Sequence, residues 1–348
     1  PMTAALFREF HGPLTVQSLP DPSPTPGGVV IRVQATGICR SDWHGWMGHD
    51  ADVHLPHVPG HEFSGIVEET GTGVRKWKPG DRVTVPFVCA CGECSVCRAG
   101  DQQVCPHQVQ PGFTTWGSFA QFVMVEHADE NLVRLPHELD FIPAASLGCR
   151  LATSYRAVVY QARSKAEDWL AIHGCGGVGL SAIMIATALG IQTVAIDIDR
   201  RKLDLARKMG ATLTIDASTI DDVPGAIADL TNGGANASID ALGSTITAMN
   251  SINCLRPRGT HVQVGLMTGK AARSSVPFDK IVARELEIRG SHGMQAHCYP
   301  ELFELITSGR LDPSLLVSGT CNLHEASTLL TSESVFSKPG IVVINQFT

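Results

Sequence analysis

Four cysteines stand close together in the first third of the chain and could hold a metal ion. Their spacing is C-x2-C-x2-C-x7-C, formed by Cys91, Cys94, Cys97 and Cys105. Four thiolates at such short spacing can wrap one tetrahedral ion such as Zn²⁺, in a closed site that leaves no position for chemistry. The surrounding segment has little hydrophobic periodicity, so the ion would supply folding free energy that a core does not. An iron–sulfur cluster or two disulfides are alternatives that use the same residues.

A second set of candidate ligands is scattered along the chain. Cys39 stands in Gly-Ile-Cys-Arg-Ser-Asp, His61 stands in Gly-His-Glu, and Cys149 lies just before a region of alternating strands and helices. A catalytic zinc typically has about three protein ligands, often far apart in sequence, and one open position for water or substrate. These three residues are therefore candidate ligands of a catalytic zinc.

A glycine-rich turn predicts a dinucleotide site. It follows the apolar strand Trp169–Ile172, precedes a helical run, and reads Gly174-x-Gly176-x-x-Gly179. The first glycine allows the tight turn, the second lets the backbone approach a pyrophosphate, and the third allows close packing of helix on strand. The N–H groups at the start of the helix then face the phosphates.

An acid at the end of the next predicted strand bears on the choice of dinucleotide. The carboxylate of Asp197 can accept hydrogen bonds from an adenosine ribose diol and would repel a 2′-phosphate, which favours NAD over NADP. Arg200 and Arg201 follow closely and could instead bind such a phosphate, so NADP stays open at this point.

The secondary-structure elements that must position these residues fall into two regions of the chain, a β region and a region of alternating strands and helices. Short strands at Val29–Ala35, Glu62–Glu69 and Asp81–Phe87, broken by Gly and Pro, predict a barrel-like β region, followed by an irregular lobe over residues 91–117. A helical stretch, Ala144–Ala162, leads into repeated alternation of strand and helix, which predicts an α/β fold with a doubly wound parallel sheet. The chain ends with a predicted helix and the strand Ile341–Ile344.

Composition narrows the class of protein. The chain has 348 residues, of which 43% are hydrophobic and 18% charged, enough for two domains with separate cores. A net charge of −7 without a basic block argues against a nucleic-acid binder. Because neither a stretch of about 18 apolar residues nor a signal sequence is visible, we expect a cytoplasmic protein without a membrane contact. The eleven cysteines are odd in number, which favours metal ligation or burial over a disulfide framework.

Together the four motifs identify a resemblance. In their order and spacing, they are similar to those of the zinc-dependent medium-chain alcohol dehydrogenases, over essentially the whole chain. The resemblance implies a GroES-like β-barrel catalytic domain at residues 1–149 with a structural-zinc lobe at 89–110. It further implies a Rossmann NAD-binding domain at 150–290 and a C-terminal segment, 291–348, that returns to the catalytic domain.

The same resemblance implies roles for individual residues. Cys39, His61 and Cys149 would hold the catalytic zinc, with Glu62 beside it as an outer or transient ligand. Asp42 would orient His61 through its other ring nitrogen. A proton leaving the substrate would pass through Ser41 to His44, which faces solvent. The residues with implied roles in the catalytic site are therefore Cys39, His61, Glu62, Cys149, Asp42, Ser41 and His44.

The resemblance also implies which residues contact the cofactor and the substrate, because they match positions with those roles in the family. The implied cofactor contacts are Arg40, Thr153, Gly174, Gly176, Gly177, Val178, Gly179, Asp197, Lys202, Val264 and Gly265. The implied substrate-pocket residues are Phe87, Trp43 and Trp116. Relatives commonly carry Gly-Arg near the last strand, but this chain has Gly340-Ile341, and it has Gln295 where many bacterial relatives have a basic residue. Other groups would have to hold the phosphates, or the cofactor would bind more weakly.

The expected activity is reversible oxidation of a primary or secondary alcohol, including bulky or aromatic ones, with hydride transfer to NAD and two zinc ions per chain. Relatives that act on polyols often have Glu at the position of Cys149, so a polyol is disfavoured. Polyol, amino-alcohol or glutathione-adduct oxidation remain alternatives, as do a non-catalytic zinc and dinucleotide binder and a nucleic-acid-binding zinc module. We expect a homodimer or homotetramer.

Overall fold

The computed structural model describes residues 1–348. They form two compact units, one of residues 1–152 with 293–348 and one of residues 153–292. The boundaries predicted from the sequence, 149/150 and 290/291, lie three and two residues earlier in the chain. None of the helices combines the length and the apolar character needed to cross a membrane.

The strands are β1 (Met2–Leu6), β2 (Thr15–Leu19), β3 (Val29–Gly37), β4 (Phe63–Thr70), β5 (Arg82–Thr84), β6 (Phe122–Val125), β7 (Val133–Arg134), β8 (Trp169–His173), β9 (Gln192–Asp197), β10 (Leu213–Asp216), β11 (Ala235–Asp240), β12 (Leu255–Gln263), β13 (Glu287–Gly290), β14 (Val317–Asn322) and β15 (Ile341–Gln346). The α-helices are α1 (Arg40–Trp46), α2 (Ser95–Arg98), α3 (Ala128–Asn131), α4 (Phe141–Ala144), α5 (Ala152–Tyr155), α6 (Gly177–Ala188), α7 (Arg200–Lys208), α8 (Val223–Leu230), α9 (Thr245–Asn253), α10 (Phe278–Arg284), α11 (Tyr299–Thr307) and α12 (Leu323–Thr331).

The unit of residues 153–292 is built on a parallel sheet. Its strand order is β10-β9-β8-β11-β12-β13, so the first strand lies in the middle and the direction of winding reverses between β8 and β11. The inner strands carry apolar side chains that are buried on both faces, as helices on either side of a parallel sheet require. This arrangement confirms the predicted doubly wound fold, whose ligands bind outside the carboxyl ends of the strands at the reversal.

The other unit is built around mostly antiparallel strands. Strand β3 pairs with β4, β6 and β15 in a sheet of order β14-β15-β3-β4-β5-β7, and β1 pairs with β2 separately. Inward side chains such as Ile31, Phe63 and Phe119 form its core. Thr36 pairs with Phe63, so the end of β3 and the start of β4 lie at one edge of the sheet. Residues that follow β3 therefore meet residues that precede β4.

Some predicted elements differ from the structure. The strand predicted at Asp81–Phe87 is only Arg82–Thr84, because Pro86 has no N–H to continue the ladder. The hairpin β1–β2, the strands β6 and β14 and helix α12 were not predicted from the sequence. The lobe predicted to be irregular contains the short helix α2.

The helix predicted at Ala144–Ala162 is interrupted by two π-helical stretches, Leu147–Leu151 and Arg156–Gln161. In the first, the N–H of Leu151 donates to the carbonyl of Ser146 at 3.1 Å. This stretch packs closely against the residue that follows β5, since a Cβ at Gly148 would lie 2.5 Å from the Val85 carbonyl oxygen. Single π turns occur frequently at functional sites, and this one contains Cys149.

Candidate functional site

The four clustered cysteines meet in the lobe at a distance suited to one metal ion. Their sulfur atoms lie 3.6 Å apart for Cys91 and Cys105, 4.0 Å for Cys91 and Cys97, and 4.0 Å for Cys94 and Cys105. Four thiolates bound to zinc at about 2.3 Å in a tetrahedron would be separated by about 3.8 Å. All four are free thiols, so no disulfide joins them. The geometry fits a closed zinc site.

Backbone N–H groups support these sulfurs. The N–H of Cys97 donates to Cys94 Sγ at 3.4 Å, and the N–H of Cys91 donates to Cys105 Sγ at 3.5 Å. Backbone hydrogen bonds at Glu93 and Cys94 lower the pKa of Cys91 to about 6. Such donors favour the thiolate form of Cys91, which is the form that binds metal, whereas burial raises the pKa of Cys97 to about 12 and raises that of Cys105.

Side-chain hydrogen bonds of Asn131 and Gln295 help to tie the lobe to the rest of its unit. The Asn131 side chain accepts from the Ala90 N–H at 2.7 Å and donates to the Ala90 carbonyl at 2.9 Å. The Gln295 amide donates to the Gly100 carbonyl at 2.8 Å. Gln295, which stands where many relatives have a basic residue, thus contacts the lobe.

The scattered ligand candidates converge at the edge where β3 ends and β4 begins. Cys39 precedes α1, His61 and Glu62 precede β4, and Cys149 lies in the π-helical stretch. One donor atom from each of the four lies within 4.8 Å of the others. Two sulfurs, an imidazole nitrogen and a carboxylate form a donor set that zinc accepts. His61 and Glu62 are 2% and 0% exposed, whereas Cys39 and Cys149 are only partly buried.

The protonation of the two cysteines is linked. A hydrogen bond from Cys149 lowers the pKa of Cys39 well below its usual range, with Arg150 and His61 contributing, while burial opposes them. The same hydrogen bond and burial raise the pKa of Cys149. Cys39 is therefore the more acidic thiol of the pair, and a divalent cation would be needed to stabilise both as thiolates.

Asp42 organises one side of this cluster. Its Oδ1 lies 2.9 Å from His61 Nδ1 and accepts from the Gly60 N–H at 3.1 Å, while Oδ2 accepts from the Cys39 N–H at 3.0 Å. Because Nδ1 of His61 faces this carboxylate, Nε2 is the nitrogen left for a metal. Asp42 is only 1% exposed, and it fixes two ligand-bearing segments at once.

Aromatic rings line the cluster. The Phe113 ring lies 4.9 Å from that of His61, and the Phe87 ring lies 6.4 Å from it. Gly293 faces Phe87, where a Cβ would lie 3.1 Å from the ring. Phe113 was not predicted as a site residue. Its position after Gly112 in a tight loop was the only signal in the sequence. The wall beside His61 is therefore apolar.

The two tryptophans predicted to line the substrate pocket pack against other groups of the same unit. Trp43 packs its ring against the rings of His44 and His49, with centroids 5.0 and 5.7 Å away. The Trp116 indole is 39% exposed and donates to the Pro56 carbonyl at 2.9 Å. The aromatic rings beside His61 are those of Phe113 and Phe87.

Helix α1 carries the predicted proton-transfer residues. Ser41 is partly exposed, and His44 Nδ1 lies 2.9 Å from His49 Nδ1. Partial burial lowers the pKa of His44, and the nearby His49 and Arg40 lower it further. His49 was missed because a lone histidine in a polar loop carries no signal of its own.

Arg40 starts the same helix. Its guanidinium lies 3.5 Å from Glu333 and stacks over the Phe336 ring at 4.9 Å. With 54% of its side chain exposed, it has room to meet an anion. The predicted contact between Arg40 and a pyrophosphate stays a prediction.

The glycine-rich turn forms a cradle in the other unit. Gly174 has a φ of +96°, and a Cβ on Gly179 would lie 1.8 Å from the Gly174 carbonyl oxygen, so neither position tolerates a side chain. At Gly176 a Cβ would meet no atom within 4 Å, which leaves open space at the start of α6. The remaining turn residues, Gly177 and Val178, begin that helix. This is the shape that a dinucleotide pyrophosphate requires.

Asp197 lies beside this turn at the end of β9. Its Oδ2 accepts from the Cys175 N–H at 2.8 Å and Oδ1 accepts from the Asp199 N–H at 2.9 Å. The partly buried Lys202 lies in the following helix, α7. These contacts hold the carboxylate at the mouth of the cradle.

The other predicted cofactor residues lie directly after strand β12 and in helix α5. The N–H groups of Val264 and Gly265 donate to the Asp240 carbonyl at 3.1 and 2.8 Å. Thr153 is 7% exposed, and its hydroxyl has no hydrogen-bond partner. A buried hydroxyl without a partner is costly unless a ligand satisfies it, so Thr153 fits a cofactor contact. Ile341 is buried in β15 and provides no charge.

Arg150 is the main charged residue of the site that the sequence did not predict. It is 6% exposed, and its Nε lies 3.2 Å from Glu62 Oε2. Burial lowers its pKa, but the charges of Glu62 and Cys39 outweigh burial and raise it above its usual value. Arg150 is thus a permanent cation inside the donor cluster.

Comparison with known proteins agrees with this arrangement. Residues 25–137 match the alcohol dehydrogenase GroES-like domain, and residues 177–308 match the zinc-binding dehydrogenase domain. An alcohol dehydrogenase of Rhizobium meliloti (strain 1021) is 36% identical over 83% of this chain and 84% of its own.

Solved structures match over nearly the full length. The alcohol dehydrogenase TADH from Thermus sp. ATN1 is 30% identical with a TM-score of 0.90, covering 99% of this chain and all (100%) of that one. A zinc-binding dehydrogenase from Sinorhizobium meliloti 1021, bound to NADP, is 28% identical with a TM-score of 0.89 and covers 99% of each chain. With its two zinc-compatible clusters and its dinucleotide cradle, this chain belongs to the zinc-dependent alcohol dehydrogenases of the medium-chain dehydrogenase/reductase family.

Proposed function

We propose that this enzyme oxidises apolar primary or secondary alcohols, including aromatic ones, and reduces the matching aldehydes and ketones, with NAD as its preferred dinucleotide. The observation that carries the proposal is the apolar wall beside the donor cluster, where the rings of Phe113 and Phe87 flank His61. A polyol would place several hydroxyls against these rings and leave them without hydrogen bonds.

The proposed roles divide among the residues of the cluster. Cys39, His61 and Cys149 would hold one zinc ion, and Asp42 would orient the His61 ring. When bound, zinc supplies the Lewis acidity that polarises the substrate oxygen, and the nicotinamide supplies the hydride chemistry. The phenylalanine rings would exclude water from the reacting atoms, which strengthens every charge interaction there.

Proton movement is assigned to helix α1. Ser41 lies two residues after a ligand and would accept the alcohol proton, and His44 would deliver it to solvent. The lowered pKa of His44 keeps its ring neutral near pH 7, the form that can take up a proton.

Asp197 supports the preference for NAD. Its carboxylate lies at the mouth of the cradle, bonded to the Cys175 and Asp199 N–H groups, and its charge would repel a 2′-phosphate. Homo-oligomer formation is part of the same proposal, by analogy with the family.

The test is turnover by the purified zinc-loaded enzyme, followed by NADH absorbance. Benzyl alcohol, cyclohexanol and 1-butanol are compared with glycerol and sorbitol, each with NAD and with NADP. We expect kcat/KM for benzyl alcohol to exceed that for sorbitol by at least about 100-fold, since each buried unpaired hydroxyl costs on the order of 1–3 kcal/mol. A preference for the polyols would overturn the substrate assignment, and a preference for NADP would overturn the cofactor assignment.

A matched pair of cysteine variants separates catalysis from folding. Cys149→Ser should abolish turnover, whereas Cys321→Ser, at a buried cysteine of the same unit outside both clusters, should keep it. Failure of every alcohol and carbonyl would instead favour a zinc and dinucleotide binder without catalysis.

A further inference from the structure

One guanidinium joins the three segments that carry the donor cluster. Arg150 follows Cys149 in the π-helical stretch. Its Nε lies 3.2 Å from Glu62 Oε2, and its Nη2 donates to the carbonyl of Ile38 at 2.5 Å. Ile38 directly precedes Cys39. The arginine thus fixes the position of Glu62 relative to both cysteine ligands.

Glu62 has few alternatives to this ion pair. Its side chain is fully buried, and neither carboxylate oxygen accepts a hydrogen bond from any group. The carboxylate lies over Gly37, where a Cβ would come within 3.3 Å of its Cδ, so the absence of a side chain at Gly37 provides the slot that it occupies. The guanidinium of Arg150 is therefore its compensating charge.

The same carboxylate is close enough to become a ligand. A Glu62 oxygen lies within 4.8 Å of the donor atoms of Cys39, His61 and Cys149. If it joined them, an ion would have four protein ligands and no open position, like the closed site of the lobe. Catalysis requires that the fourth position stay free for substrate.

We propose that Arg150 is a positioning residue that holds Glu62 away from the ligand set and so keeps the fourth zinc position open to substrate. The inference deepens the proposed function and rests on its assignment of Cys39, His61 and Cys149 as ligands. The basis of the proposal is geometric. The guanidinium is permanently charged, is 6% exposed and donates to the Ile38 carbonyl. It therefore keeps the Glu62 carboxylate beside Gly37, away from the metal position. Without the cation, a buried unpaired carboxylate would gain most by binding the zinc ion.

The experiment uses the full-length enzyme with zinc, and with cobalt in its place, because the cobalt absorption spectrum reports the number and type of ligands. Four proteins are compared: the natural chain, Arg150→Met, Glu62→Gln, and the double variant with both changes. Zinc release to a chromogenic chelator is timed in each. Arg134→Met is the matched control, since Arg134 also pairs with a buried carboxylate of the same unit, Asp81 at 3.0 Å, but is itself 58% exposed and lies outside both donor clusters.

Arg150→Met should release its catalytic zinc at least tenfold more slowly, change the cobalt spectrum to that of a site with an added carboxylate, and lose at least tenfold in kcat. Glu62→Gln in the double variant should restore the natural spectrum and release rate, because the carboxylate needed for closure is gone. Arg134→Met should behave like the natural chain. Faster zinc release from Arg150→Met, or no restoration in the double variant, would overturn the inference.

A second measurement covers the case in which Arg150→Met fails to fold. Glu62→Gln alone should leave the cobalt spectrum of the natural chain unchanged, since Glu62 is not a ligand while Arg150 is present. A changed spectrum would show that Glu62 already coordinates and would refute the proposal. Spectra and release rates need neither alcohol nor NAD, so these outcomes are separate from failure of the proposed alcohol oxidation.

Discussion

The Nδ1 atoms of His44 and His49 lie 2.9 Å apart at the partly exposed end of helix α1. One ring must donate to the other, so the two histidines share a proton. If His44 carries the proton of the alcohol outward, His49 is its next partner and also controls its charge. Arg40, Cys39 and Glu333 are the other charged groups that act on His44, and the last two raise its pKa.

We expect His49→Gln to shift the pH dependence of alcohol oxidation. Partial burial lowers the pKa of His44, and His49 lowers it further. Removing His49 therefore raises the pKa of His44, so the neutral form that accepts a proton appears only at higher pH. The acid limb of the kcat–pH profile should move to higher pH, measured with saturating benzyl alcohol and NAD.

His44→Gln is the reference for that experiment. It should lower kcat and remove the acid limb that belongs to His44, without changing zinc content. An unchanged profile in His49→Gln would show that the pair has no part in the rate, and an unchanged profile in His44→Gln would remove both histidines from the mechanism.

Asp42→Asn should weaken the catalytic zinc site. The carboxylate faces His61 Nδ1 at 2.9 Å and accepts from two backbone N–H groups, and loss of such a partner typically costs 10–100-fold in metal affinity or activity. Zinc affinity, measured by competition with a chelator, should fall by about that factor. Asp129→Asn is the control, because Asp129 also accepts from two backbone N–H groups, those of Arg75 and Lys76, but on the surface. Equal zinc affinities in the two variants would contradict the role of Asp42.

The lobe should depend on its metal for folding. Cys105→Ser should lower zinc content from two ions per chain to one and lower the Tm, because the lobe has only a small hydrophobic cluster around Ala90 and structural zinc supplies folding free energy outright. Cys89→Ser is a stringent control, since Cys89 is buried at the edge of the lobe but does not belong to the cluster. It should keep both zinc ions. Loss of zinc from Cys89→Ser, or two ions in Cys105→Ser, would refute the assignment.

The sequence predicted those sites whose residues lie close together along the chain. The four cysteines of the lobe lie within one short segment, so their spacing alone predicted a site that the structure assembles with sulfurs 3.6–4.0 Å apart. The turn from Gly174 to Gly179 was likewise readable, because strand, glycines and helix are adjacent in the chain.

The parts of the site that the sequence did not predict are formed by contacts between residues far apart in the chain. Arg150 and Glu62 lie 88 positions apart in numbering, and nothing near either residue says that they pair. Phe113 reaches His61 through a loop whose conformation the sequence does not encode in a recognisable pattern. The π-helical stretch at Leu147–Leu151 read as ordinary α-helix because its composition is helical, and the extra residue that shifts Cys149 and Arg150 leaves no periodic trace over so short a length.

Asp197→Ala should change cofactor selectivity. Asp197 lies at the end of β9 beside the glycine-rich turn, and its removal takes away both the acceptor for the adenosine ribose and the charge that repels a 2′-phosphate. We expect KM for NAD to rise at least tenfold while KM for NADP falls, so that the ratio of kcat/KM for NAD over NADP drops by at least about 100-fold. Asp216→Ala is the matched control, because Asp216 ends the neighbouring strand, pairs in register with Asp197, and its carboxylate accepts from the N–H and the hydroxyl of Ser218 in the loop that follows. Both variants should lose some stability, which thermal unfolding measures, since each carboxylate accepts backbone N–H bonds. Only Asp197→Ala should alter selectivity, and an unchanged ratio there would mean that Arg200 and Arg201, rather than the acid, decide which dinucleotide binds.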